Sequence, residues 1–113
     1  MKFLSMYHSN GSQMGPAQQA EMGKLMAETL KDGTLVLTGG IMPVAKGGAR
    51  LRAAGGEITL DGPFTETKEI TGGFAILEAK SREDAIAMTS RFLKIAGEGE
   101  CELHQLSVPG EGR

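Results

Sequence analysis

The run DGPFTETKE, Asp61 to Glu69, holds the densest set of groups in this chain that could do chemistry. Asp61 stands where a strand should end and a Gly-Pro turn begin. A carboxylate held there could exchange a proton with a bound small molecule. The same placement suits an aspartate that caps its own turn by accepting backbone N–H bonds. Phe64 would anchor the loop on the core, or turn its ring to a ligand. Lys68 could reach over a cleft with Glu69 holding it in place; the plainer reading of both is a solvated edge alternating with Thr65 and Thr67. Tyr7 and His8 close the first strand, whose end could open into the same cleft. His8 is then a second candidate acid or base, or a solvated loop histidine. The expected site is Asp61 and His8 for chemistry, with Tyr7, Phe64, Lys68 and Glu69 for binding.

Other chemistry is harder to place. Two histidines and one distant Cys101 make no zinc spacing. The glycine pairs form neither G-x-x-x-x-G-K-[ST] nor G-x-G-x-x-G, so neither a metal nor a nucleotide cofactor is expected. Cys101, alternating with Leu103, reads as a small core residue, and His104 as a cross-strand packing residue. Arg50 and Arg52 share a face of a hairpin and could hold an anion, or simply line a solvated edge. A net charge of −2 argues against binding a phosphate backbone. A lone cysteine fits a reducing, cytoplasmic setting, and no apolar run is long enough to span a bilayer.

The elements that would position these groups follow from periodicity. With 113 residues, the chain fits one domain over 1–113. Residues Lys2 to Tyr7 alternate as a strand. Pro16 opens a helix whose apolar face is Met22, Leu25, Met26 and Leu30, with Thr29 beside them, and Gly33 closes it. TLVLTGG is a second strand, followed by a loop broken at Pro43 and Gly47-Gly48. ARLRA and EITL flank Ala54-Gly55-Gly56 as a hairpin. Gly73 to Ala79 is the next strand. Ser81 caps a second helix with Asp84 three residues on, and CELHQL is the last strand. Strand, helix, strand, hairpin, strand, helix, strand is an α+β plan of ferredoxin-like character.

Two helices cover one face of such a sheet. Leu4 and Met6 oppose Phe3, Ser5 and Tyr7 on the first strand; Ala75 and Leu77 oppose Phe74 and Ile76 on the later one. With Met6, Ala75 and Leu77 assigned to the uncovered side, the second face also needs an apolar partner. A second copy of the chain, sheet to sheet about a two-fold axis, supplies it.

The motif Asp61 to Glu69 with Gly72 to Phe74, the MKFLSMY start, the DGTLVLTGG segment and the strand-helix-strand ending closely resemble the YCII-related proteins of the DGPF subgroup. The resemblance covers nearly the whole chain. It implies a dimeric α/β barrel, a bacterial source and a cytoplasmic home, and for some members a genetic setting beside extracytoplasmic-function sigma factors. Smaller members carry a histidine on the first helix and an aspartate near the sheet as an acid-base dyad. Here the corresponding helix position falls near Met22 and the helix has no histidine, so that dyad does not transfer. Two functions follow: a small-molecule binding protein or enzyme with a cleft near the motif, or a non-enzymatic dimeric regulatory module.

Overall fold

The computed structural model describes residues 1–9, 14–63 and 72–110. Phe64, Lys68 and Glu69 lie outside the described residues. The elements run β1 (Lys2–His8), α1 (Pro16–Asp32), β2 (Leu35–Ile41), β3 (Arg50–Ala54), β4 (Glu57–Asp61), β5 (Gly72–Glu78), α2 (Arg82–Ala96) and β6 (Glu100–Gln105). This is the order the periodicity predicts. The α+β plan holds as an antiparallel four-stranded sheet in the order β2-β5-β1-β6. Two β-α-β halves interleave there, with β1 and β5 central, which is the ferredoxin-like arrangement. Strands β3 and β4 form a separate two-stranded sheet inserted between the halves.

Local chemistry accounts for the helix ends. Pro16 starts α1 without wasting a donor, and Gly15 N–H donates to Gln18 Oε1 at 3.0 Å. Gln18 Nε2 also donates to Ile95 O at 3.0 Å, tying the start of α1 to the end of α2. In α2, Asp84 N–H donates to Ser81 Oγ, while Asp84 Oδ2 accepts from Lys80 N–H, one residue earlier than in the standard capping box. Glu83 and Asp84 complement the positive end of that helix, and Lys94 its negative end.

Register decides which residues share a face. Phe3 pairs with Leu77, Ser5 with Ala75, and Tyr7 with Gly73. These residues meet the helices, where Phe3, Leu35, Leu77, Ala79 and Ala85 form the core and Met26, Ala75, Met88 and Leu103 pack against it. Leu4 pairs with Ile76 and Met6 with Phe74 on the opposite face. The expected grouping of Ala75 and Leu77 with Met6 is therefore corrected. The face away from the helices, uncovered by other elements among the described residues, is apolar through Leu37, which is exposed, and Leu4, Met6, Phe74 and Ile76, which are half-buried. There the Phe74 ring lies over Gly39, where a Cβ would come within 3.1 Å of Cε1. The Lys2–Glu78 ion pair and the Glu102–His104 hydrogen bond rim this face. His104 is thus an exposed rim group. No helix among the described residues is long and apolar enough to cross a membrane.

Candidate functional site

Between the sheet and the two helices lies a cavity of about 370 Å³. Its floor is the helix-side row of the sheet, Ser5, Tyr7, Gly40, Gly73 and Ala75. Its walls are Met22, Leu25 and Met26 from α1 and Met88, Thr89 and Phe92 from α2. The opening arises from residue size. Gly40, Gly73 and Tyr7 sit side by side on β2, β5 and β1. The two glycines project nothing towards the helices, so space remains where a filled core would place branched side chains.

Tyr7 is held on two sides. Its hydroxyl donates to Glu98 O at 2.9 Å, and its ring meets Phe92 edge to face, with centroids 5.1 Å apart and planes at 81°. Gly99 (φ 139°) allows that approach: a Cβ there would lie 2.7 Å from the Tyr7 ring. Among the described residues, the cavity-lining side chains carry no formal charge. Their polar groups are mostly spent internally. Thr29 Oγ1 donates to Leu25 O at 2.7 Å, Thr38 Oγ1 to Phe74 O at 2.9 Å, and Ser5 bonds the Cys101 thiol. Thr89 differs. Its Oγ1 is buried without a hydrogen-bond partner among the described residues, although Ser90 on the same helix bonds back to Ile86 O. Burial pushes the Cys101 thiol above its ordinary range, against a smaller opposing effect of the Ser5 hydrogen bond.

Of the residues expected to form one site, Tyr7, His8 and Asp61 are among the described ones. Tyr7 lines the cavity. His8, next along β1, alternates to the opposite face across from Glu100 and is exposed. Asp61 ends β4 on the separate hairpin and does not line the cavity. Its Oδ2 accepts from Arg52 Nη2 at 2.9 Å, and Arg50 stands directly across the strands from it. Among the described residues, Asp61 does not share the cavity wall with Tyr7, and the hairpin and main sheet share no strand pairing. Arg52, expected as one of an anion-holding pair, is occupied by Asp61. Sequence reasoning missed this ion pair, although the hairpin register carries it as a diagonal cross-strand neighbour pair. It also missed Met88, Thr89 and Phe92 as cavity walls, because helical spacing marks them only as an inward face. Among the described residues, no three His, Cys, Asp or Glu side chains converge as a metal site.

The sequence profile of the YCII-related domain matches residues 1–95. No curated protein matches the chain. Among solved structures it is similar to 5-chloro-2-hydroxyhydroquinone dehydrochlorinase from Burkholderia phenoliruptrix AC1100, in complex with 2,5-dihydroxybenzoquinone. The identity is 17%, the TM-score is 0.45, and the match covers 90% of this chain and 91% of that one.

Proposed function

From the premise that this chain belongs to the YCII-related domain family, we propose that it binds a neutral, mainly apolar small molecule in the cavity between its helices and its sheet, as a member of the DGPF-motif branch. The cavity carries the proposal: about 370 Å³ of space beside Tyr7, Met22, Met88 and Phe92, with no charged side chain among the described residues of its wall. Pockets of this size and apolar character are the usual form of small-molecule sites. A charged ligand would lose its hydration there without gaining an ionic partner. A ligand with one hydrogen-bonding group could engage Thr89, the buried hydroxyl that the fold leaves unpaired.

N-phenylnaphthylamine, a neutral dye that brightens in apolar sites, tests this directly. Titration should give saturable binding. Cyclohexanol should displace the dye at least about tenfold better than cyclohexanecarboxylate, because an unpaired carboxylate pays a desolvation cost of several kcal/mol in such a wall. Equal displacement by the two would sink the neutral-ligand reading. Proton transfer by Asp61 has less support than binding, since its carboxylate is engaged by Arg52 and stands outside the cavity wall.

The working unit is proposed to be a homodimer. The side of the main sheet away from the helices is apolar through Leu4, Met6, Leu37, Phe74 and Ile76, and the sheet of a second copy would cover it. Light scattering should report about twice the 11.9 kDa chain mass; a monomer at micromolar concentration would rule this out.

A further inference from the structure

Among the described residues, five with hydroxyl groups line the cavity between sheet and helices: Ser5, Tyr7, Thr29, Thr38 and Thr89. The fold gives four of them a partner. Tyr7 donates to Glu98 O, Thr29 to Leu25 O and Thr38 to Phe74 O, and Ser5 bonds the Cys101 thiol. Thr89 Oγ1 is buried and has no partner among the described residues. Its own helix offers one. A hydroxyl on a helix can turn back to the carbonyl four residues earlier. Thr29 does so at 2.7 Å, and Ser90, the next residue along α2, does so at 2.8 Å. Thr89 forgoes that bond to Ala85 O.

Packing does not account for the hydroxyl. Thr89 stands one turn after Ala85, which is fully buried in the core, and one turn before Phe92, on the inward side of α2. Valine has nearly the same shape and would avoid the desolvation cost of a buried, unpaired hydroxyl. The helix walls otherwise present Met22, Leu25, Met26, Met88 and Phe92. Thioethers are weak acceptors, and the other side chains accept nothing of ordinary strength from an O–H. A strong partner for Thr89 has to arrive with the ligand.

We infer that Thr89 is the residue by which the cavity selects its ligand, and that the ligand is a neutral compound carrying a carbonyl or hydroxyl oxygen on an otherwise hydrocarbon frame. The ligand oxygen accepts from Thr89 Oγ1–H, and the frame packs among the methionines. A carboxylate would also accept, but it would be buried with no cation beside it, and an ammonium offers no acceptor. Methionine side chains adapt to the outline of what they enclose, so the site reads the oxygen more strictly than the shape of the frame. This inference rests on the cavity-binding reading and adds the ligand's functional group and the residue that recognises it.

Cyclohexanol and chlorocyclohexane are close in size, but organic chlorine is a poor acceptor. Each is titrated against bound N-phenylnaphthylamine in the parent, in Thr89→Val and in Thr89→Ser, with the dye's own affinity measured first in each protein. Thr89→Val should raise the displacement constant of cyclohexanol by at least about fivefold and leave that of chlorocyclohexane within about twofold. Thr89→Ser, which keeps the hydroxyl, should restore the parent's ratio between the two probes. Thr89→Val should also melt no lower than the parent, because no internal hydrogen bond is lost. Displacement constants that move together for both probes, or not at all, overturn the role of Thr89 and leave the cavity as a purely apolar site. A Thr89→Val protein that melts several degrees lower, while Thr89→Ser does not, shows that the hydroxyl serves the fold and also overturns the inference. A parent protein that takes up no dye saturably overturns the cavity reading and this inference with it.

Discussion

Gly73→Leu should abolish saturable dye uptake, raising the apparent Kd by at least about tenfold, while the protein stays folded. Gly73 is central to the cavity floor, flanked by Gly40 on one strand and Tyr7 on the other. Its φ lies outside the left-handed region, so a side chain costs no backbone strain. A Cβ there meets only Gly39 O, at 3.5 Å, which is ordinary contact. The remaining atoms of leucine must then enter the space that the ligand would use. Glycine in a strand interior is itself unfavourable by about 0.5–1 kcal/mol relative to alanine, so the replacement recovers backbone stability. Any overpacking against Met88 or Phe92 is thereby partly offset, and the melting temperature should stay within about 5 °C of the parent. Dye binding that survives unchanged would place the dye on the hairpin or the uncovered sheet face. That result would remove the cavity as the ligand site.

Much of the architecture is legible without coordinates. Period-two alternation in Lys2 to Tyr7, the spacing of Met22, Leu25 and Met26, and the capping pair Ser81 and Asp84 each encode an element locally. The double glycine at 55 and 56 encodes a turn. What a single sequence does not carry is register between strands far apart in the chain. Alternation says that Ala75 and Ile76 face opposite ways; only the pairing of Ser5 with Ala75 says which of them meets the helices. The cavity is hidden for the same reason. Gly40 and Gly73 read as strand ends in one dimension and become neighbours only through the antiparallel pairing of β2 with β5. The DGPF stretch drew attention because it concentrates functional groups. Its Asp61 is placed by a local hairpin, however, and a hairpin can extend from the body as readily as pack against it. Composition marks where chemistry is possible, and topology decides which groups meet.

Ile76→Glu should convert the protein from about twice the chain mass to the single 11.9 kDa chain. Ile76 stands on the uncovered sheet face, opposite Leu4 on the central pair of strands β5 and β1. Within one chain a glutamate there reaches water, so the monomer loses little. Helix-side neighbours such as Leu77 are untouched, and Leu77 is the core residue of that strand. In a face-to-face dimer the two-fold axis brings each copy's patch against the other. Two carboxylates would then be buried in an apolar contact with no cation beside them. Desolvation and mutual repulsion together cost several kcal/mol, enough to weaken association by at least about a hundredfold. The cavity lies on the other side of the sheet, so dye binding per chain should persist in the monomer if the site is complete within one protomer. The reverse pattern is equally informative. A variant that keeps the doubled mass would show that this face is not the contact. A variant that loses both mass and dye binding would show that the second copy completes the ligand site.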